Sequence, residues 1–194
     1  AHWRKQQPLQ EGFEQLYEGK VWTLVVGKKY FVVRNSSSII SFVLPETKDF
    51  KGFLISASHS DSPSFKVKEN PEMESAGCVR LNVEKYGGML IAPWFDRPLS
   101  LAGRVVVSEE KNGVLSFSEK LVSFDRNFMM IPNLAIHMNR DVNEGHKYDV
   151  QSELLPVVTT DKNFKLKTLI AAEAGVREED IYGFDMFLVN RDKG

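Results

Sequence analysis

A histidine that ends an apolar run, with a carboxylate two residues later, is the feature of this sequence best suited to chemistry. The run covers residues 52–58, His59 follows it, and Asp61 lies two positions on. A neutral imidazole ligates zinc well, and a carboxylate that accepts its other ring N–H fixes its orientation. The pair predicts a metal-ligating histidine with an orienting carboxylate. The alternative is a strand-end histidine satisfied by ordinary hydrogen bonds, because a lone His-x-Asp is a short motif.

Four other side chains have the chemistry of possible site residues. His137 follows an apolar stretch within residues 131–140 and could donate a hydrogen bond to a substrate or a partner subunit. The residues around His137 by themselves favour the alternative, which is a histidine at the edge of the hydrophobic core. Asp96 could bridge two metals, but an Asp-Arg pair beside two aromatic residues favours a structural ion pair or turn. His2 and His146 have polar neighbours and are predicted to be solvated.

The hydrophobic pattern divides the chain into three segments. Residues 1–70 predict a short helix over 9–18 and strands over 21–26, 30–34, 38–44 and 52–58. Residues 71–158 show many short strands with hairpin signals at 86–88 and 111–113, which is typical of a β-rich barrel or sandwich. Residues 159–194 predict a helix over 164–174 that is ended by Gly175, then a strand over 184–189. The order predicts an α/β domain interrupted by a β-rich domain.

Composition narrows the class of protein. The 194 residues are 42% hydrophobic and 26% charged with a net charge of −1, so no basic surface for nucleic acid is expected. A single cysteine argues against a disulfide-built secreted protein. No apolar run reaches the roughly 18 residues of a membrane span, and the N-terminus is too polar for a signal peptide. We expect a soluble, cytoplasmic protein with no membrane partner. The lack of an initiator methionine suggests a fragment.

Several blocks of sequence together resemble the aspartyl aminopeptidase family of zinc metallopeptidases. They are residues 29–35 (KYFVVRN), 37–40 (SSII), 58–63 (SHSDSP) with Lys66, 83–88 (VEKYGG), 94–97 (WFDR), 99–105 (LSLAGRV), 131–140 (IPNLAIHMNR) and 143–145 (NEG). They occur in the family's order and spacing and cover nearly all of residues 12–189. The set is specific, although each block is modest.

The resemblance implies a fold, an activity and roles for three residues. It implies a partial three-layer α/β zinc-peptidase domain, residues 1–70 and 159–194, interrupted by an inserted, barrel-like β-rich dimerisation domain, residues 71–158. Such enzymes release N-terminal, often acidic, residues from peptides with a pair of zinc ions, and their dimers build a dodecamer. His59 matches a metal ligand, Asp61 the catalytic carboxylate beside it, and His137 a substrate-binding histidine that reaches a neighbouring subunit's site.

One departure from the family pattern leaves two functions open. The bridging aspartate, the Glu-Glu pair and the remaining Asp and His ligands of the family lie C-terminal to the matching region, so this chain supplies one metal ligand of about five. The chain is then either part of a zinc aminopeptidase or a truncated, non-catalytic dimerisation module. A β-rich ligand-binding protein is a third reading, supported by fold analogy only.

Overall fold

The computed structural model describes residues 7–35, 37–47, 49–59 and 61–192. The chain divides into two compact units, Ala1–Asp61 and Ser62–Gly194. Strands predominate in both units, with short helical segments, so the fold is mixed α/β and rich in sheet. No helix within the described ranges is long and apolar enough to cross a membrane.

The first unit contains a three-stranded sheet. Its strands are β1 (Glu14–Leu16), β2 (Lys29–Arg34) and β3 (Ser38–Val43). β2 is central, parallel to β1 and antiparallel to β3. Leu16, Tyr30 and Val32 are buried on one side of it, and the Tyr30 hydroxyl accepts a hydrogen bond from the Val25 amide at 2.9 Å. This small core holds the loop between β1 and β2 in place.

The helix expected over residues 9–18 is shorter in the structure. It ends before Gly12, whose φ is +79°. The Gly12 amide bonds to the Leu9 carbonyl at 3.2 Å, and the Phe13 amide to the Pro8 carbonyl at 2.9 Å. These are the two hydrogen bonds of a Schellman C-cap, which stops a helix at a left-handed glycine. The residues beyond it then form β1.

Two predicted strands are absent from the first unit. Residues 21–26 and 52–58 are irregular rather than extended in a sheet. The side chains of Phe53, Leu54 and Ile55 are 82%, 104% and 83% exposed, so the second segment is not the buried strand that was expected. A buried strand needs neighbours on both sides, and residues 52–58 have no ladder partner among the residues that the structure describes.

The second unit is built on a six-stranded sheet. Its strands are β4 (Ser64–Ser75), β5 (Cys78–Tyr86), β6 (Ser100–Lys111), β7 (Val114–Ser123), β8 (Val157–Thr159) and β9 (Ile181–Val189). Their order is β7-β6-β9-β4-β5-β8, and every pairing is antiparallel. The sheet has β7 and β8 as its edges, so the described residues form no closed barrel and the barrel-like expectation is not confirmed.

The position of β9 places the C-terminal segment of the chain in the second unit. β9 lies between β6 and β4, and its Met186 and Leu188 are buried in the same core as Phe65 and Val105. Residues 159–192 are therefore part of the second unit, because their last strand pairs with β6 on one side and with β4 on the other. The division at 61/62 differs from the boundaries at 70/71 and 158/159 that the sequence suggested.

Helix α1 (Leu166–Ala174) has hydrogen-bond partners for backbone groups at both of its ends. The Leu166 amide donates to Glu72 Oε1 on β4 at 2.7 Å, which satisfies one of the unpaired amides of the first turn. Gly175 follows the last residue with φ +62°, and its amide bonds to the carbonyls of Ala171 and Ala172. The glycine C-cap expected from the sequence is thus confirmed.

The face of the sheet opposite the core carries an ion-pair cluster. Asp185 on β9 accepts from Lys66 Nζ at 2.8 Å and from Arg104 at 2.9 Å, and Arg104 also reaches Glu119 at 3.1 Å. The hydrogen bond from Lys66, helped by that from Arg104, holds the pKa of the Asp185 carboxyl below its ordinary value. The same bond raises the pKa of the Lys66 ammonium. The cluster joins β4, β6, β7 and β9.

Replacing Asp185 with asparagine is expected to lower the free energy of unfolding by about 1 kcal/mol at pH 7, because two charge-assisted hydrogen bonds are weakened at a half-exposed site. A lowered folded-state pKa contributes stability above the unfolded pKa of about 3.9, and that contribution is lost as the pH falls through the folded value. The difference between Asp185→Asn and wild type should therefore shrink below pH 4. Urea denaturation at pH 7 and pH 3 measures it. A difference that stays constant would contradict the assignment, and Glu119→Gln, which touches Arg104, is the milder control.

Candidate functional site

His59 and Asp61 form a local pair, as the sequence predicts. The distance from His59 Nδ1 to Asp61 Oδ1 is 3.0 Å, and the imidazole is 96% exposed. An N–H on Nδ1 that donates to a carboxylate leaves Nε2 as the nitrogen available to ligate a cation. The ring is not part of an apolar core. Its exposure leaves Nε2 accessible to a cation.

This pair does not complete a metal site by itself. The parts of the chain that the structure describes contain no group of three or more His, Cys, Asp or Glu side chains able to hold a metal ion. A catalytic zinc in a protein takes three protein ligands and leaves a position for water. His59 therefore fits the role of one ligand, and further donors are required for a zinc ion to bind there.

His137 lies in the second unit on an exposed turn. The Met138 amide bonds to the Ala135 carbonyl at 2.8 Å, and the Asn139 amide to the Ile136 carbonyl at 3.3 Å. The histidine side chain is exposed, so the core-edge alternative does not describe its position. The apolar neighbours Leu134, Ile136 and Met138 are 53%, 47% and 74% exposed.

Asp96 has a structural role, which agrees with the interpretation that the sequence favoured. Its φ is +54°, and its amide donates to the Ile131 carbonyl at 2.9 Å. Its Oδ1 accepts the Asn133 amide at 2.9 Å. Both contacts tie Asp96 to the segment that leads to His137. Neither resembles a metal-bridging arrangement.

The sequence interpretation of His146 was wrong. Its Nε2 lies 2.9 Å and 3.0 Å from the two carboxylate oxygens of Glu153, and its side chain is 25% exposed. Its ring also packs edge-on against Tyr148, with centroids 4.9 Å apart. The polar neighbours gave no sign of this pair, since it depends on how an irregular loop folds back on itself. His2 lies outside the described residues.

The site thus has a histidine–carboxylate pair of the type that metallohydrolases use, and known proteins identify the family. Residues 2–194 match the family described as Aminopeptidase I zinc metalloprotease (M18). The chain belongs to this family of zinc aminopeptidases, which confirms the resemblance seen in the sequence.

Curated relatives agree with that assignment. A probable M18 family aminopeptidase 2 of Clostridium acetobutylicum is 44% identical over 193 residues, which is 96% of this chain and 44% of the relative. A probable aspartyl aminopeptidase of Ricinus communis is 39% identical over 87% of this chain and 35% of the relative. The chain therefore spans less than half the length of these relatives.

Solved structures show the same fold. A chain of the Ape4 and Nbr1 complex superposes with a TM-score of 0.83 at 32% identity, over 97% of this chain and 40% of that one. Chaetomium thermophilum mApe1 gives 0.82 at 30% identity, over 98% and 46%. The S. cerevisiae mApe1 dodecamer gives 0.71 at 22% identity, over 99% and 44%, and this likeness concerns the fold.

Proposed function

We propose that the protein carrying this chain is a zinc-dependent aminopeptidase that releases N-terminal residues from peptides. The observation that carries the proposal is the exposed His59–Asp61 pair, with Nδ1 held at 3.0 Å by the carboxylate, in a chain of a zinc aminopeptidase family. His59 is one zinc ligand, and Asp61 is the carboxylate that orients it. The other ligands, for a pair of zinc ions, come from the part of the relatives' length that this chain does not span.

An exposed apolar segment supports the proposal that the other ligands belong to a part of the protein that this chain does not span. Phe53, Leu54 and Ile55 are almost fully exposed in the structure and belong to the apolar run that leads to the candidate ligand His59. Exposed runs of this kind mark surfaces that pack against something else. We propose that residues 52–58 become a buried strand when the remainder of the peptidase domain packs on both sides. His59 then stands at the end of that strand, beside the carboxylates that complete the site.

The chemistry assigns a separate task to each residue. His59 would hold zinc together with further ligands, and a zinc ion there would supply a water of lowered pKa, about 7, and a Lewis acid for the peptide carbonyl. Asp61 keeps the His59 ring in one tautomer and one orientation, so Nε2 stays directed at the site. His137 donates a hydrogen bond to the oxygen on which negative charge develops, a contact that is stronger in the transition state than in the ground state.

We also propose acidic specificity and self-association. The first is supported by the Ricinus relative, a probable aspartyl aminopeptidase, which matches 87% of this chain. The second is supported by the exposed apolar residues around His137 and by the dodecameric S. cerevisiae relative of the same fold. In the proposed assembly, subunits form dimers through the β-rich region, and His137 contacts the substrate in the active site of a neighbouring subunit. A cytoplasmic location stays a prediction.

Metal removal tests the proposed function. Dialysis of the full-length protein against a chelator is expected to reduce hydrolysis of aspartyl-p-nitroanilide to background, and added zinc is expected to restore it. Leucyl-p-nitroanilide is the matched substrate, and slower hydrolysis of it would support acidic specificity. Full activity in a protein shown by elemental analysis to be free of metal would contradict the proposal.

A non-catalytic dimerisation module is the second candidate. It is favoured by the finding that the described residues contain no cluster of three or more possible ligands. A protein of this kind would bind no zinc stoichiometrically and would hydrolyse neither substrate, whereas it would still self-associate. The same assay, combined with light scattering for the oligomeric state, separates the two candidates.

A further inference from the structure

We propose that Asp96 is a positioning residue for His137. Asp96 and its neighbour Phe95 form a turn that holds both arms of the loop on which His137 lies. This inference rests on the proposed function, in which His137 contacts the substrate. We call residues 131–156 the His137 loop.

The His137 loop is closed at its base. The Met130 amide bonds to the Val157 carbonyl at 3.1 Å, and the Val157 amide returns a bond to the Met130 carbonyl at 2.8 Å. Near the C-terminal end of the loop, the side chains of Leu154 and Leu155 are 0% and 6% exposed, so they anchor this second arm in the core. The rest of the loop is irregular apart from one 3₁₀ turn and takes its shape from side-chain contacts.

The first arm is held by Asp96 directly. The Asp96 amide donates to the Ile131 carbonyl, and Asp96 Oδ1 accepts the Asn133 amide, both at 2.9 Å. Asn133 Oδ1 then accepts the Leu134 amide at 2.9 Å. These three bonds define the backbone up to three residues before His137, so the direction in which the next turn leaves the sheet depends on the Asp96 carboxylate.

The second arm is held through Phe95. Its ring stacks on Tyr148 at 5.3 Å, and Tyr148 packs edge-on against His146. The Glu153 carboxylate accepts from His146 Nε2 and also from the Asp149 amide at 2.8 Å. The second arm is therefore compact, and it packs on the same two-residue turn, Phe95 and Asp96, that holds the first arm.

The turn itself is fixed to the core. The Trp94 ring contacts Phe65 edge-to-face at 5.1 Å, and Phe65 is fully buried. A 3₁₀ turn over Ala92–Trp94 leads directly into Phe95, whose amide bonds to the Ala92 carbonyl at 3.3 Å. Contacts thus run without a break from the core to the turn, and from the turn to both arms. A hydrogen-bond donor that acts on the transition state needs such rigid support.

Three substitutions of Asp96 distinguish the contribution of its side-chain oxygen from that of its positive φ. Asparagine keeps an acceptor oxygen and tolerates positive φ, glycine keeps the φ but has no acceptor, and alanine has neither. A displacement of about 1 Å at a reacting group can reduce the rate about 100-fold. In the full-length enzyme we expect Asp96→Gly and Asp96→Ala to lower kcat about 10- to 100-fold with KM and zinc content unchanged. Asp96→Asn should restore kcat to within about threefold of wild type.

A double-mutant cycle with His137→Ala completes the test. If Asp96 acts through His137, the combined variant Asp96→Gly/His137→Ala is no slower than His137→Ala, and amide hydrogen exchange over residues 131–145 rises in Asp96→Gly. Wild-type kcat in Asp96→Gly, together with a slow His137→Ala, would overturn the positioning role and leave the proposed function intact. Wild-type kcat in His137→Ala would instead refute the part of the proposed function on which the inference rests. Additive losses would show that Asp96 acts by another route.

Discussion

Replacing His59 with alanine is expected to remove zinc and activity together. Loss of residues that merely orient a metal ligand costs about 10- to 100-fold in affinity or activity, so loss of the ligand itself should reduce kcat by more than about 100-fold. Loss of a metal ligand can also lower stability, because bound zinc stabilises the folded state. Folding is therefore checked in the same experiment. Elemental analysis, circular dichroism and the aspartyl-p-nitroanilide assay on the full-length enzyme measure the three quantities.

Two companion variants sharpen this experiment. Asp61→Asn keeps an oxygen for the Nδ1 hydrogen bond but removes its charge, so it should lose about 10-fold in activity and retain most of the zinc. Lys51→Ala, an exposed change in the segment that leads to His59, should retain both. Normal zinc content and normal kcat in His59→Ala would show that this imidazole is not a ligand.

Gly103→Ala is expected to be the most destabilising conservative substitution that we identify. A methyl group at Gly103 would lie 2.0 Å from the Asp185 carbonyl oxygen and 2.9 Å from Met186 Cα, and both are backbone atoms of the paired strand β9. Because backbone atoms cannot rotate away, β6 and β9 must separate. We expect a loss of about 3 kcal/mol or more in the free energy of unfolding, at the upper end for overpacking.

A second glycine in the same ladder gives the matched control. Gly183 on β9 lies opposite Val106, has ordinary negative φ, and has no heavy atom within 4 Å of the position that a Cβ would take. Gly183→Ala should be neutral or stabilising by less than about 1 kcal/mol, because alanine restricts the unfolded chain. Denaturant midpoints by circular dichroism compare the two. Equal midpoints for both variants would mean that the close approach of β9 to Gly103 does not exist.

Local turn chemistry accounts for much of what could be predicted. Asn112 and Gly113 both have positive φ and join β6 to β7, as their sequence indicated. The hairpin expected at residues 86–88 is not formed, because β5 ends there. The hairpin of β5 is with β4, through a turn at Ala76 and Gly77 with positive φ. A glycine pair marks a turn, but it does not say which strand pairs with which.

Non-local contacts explain the parts that could not be predicted. The apolar run before His59 has the composition of a buried strand, yet residues 53–55 are exposed because a strand is buried by its neighbours and not by its own sequence. His146 and Glu153 are seven residues apart in a loop without periodicity, so no pattern indicated their contact. Asp96 was recognised as structural, but only the fold shows that it grips the loop of His137.

The sequence by itself determined the family, the glycine cap of α1, the Asn-Gly hairpin and the pairing of His59 with Asp61. Each of these depends on residue types at short spacing, where the chain allows few conformations. The tertiary structure decided that β9 enters the middle of the six-stranded sheet and that Asp96 supports the His137 loop from a distant segment. Such contacts join residues far apart in the chain, and packing selects them from the many pairings that local sequence permits.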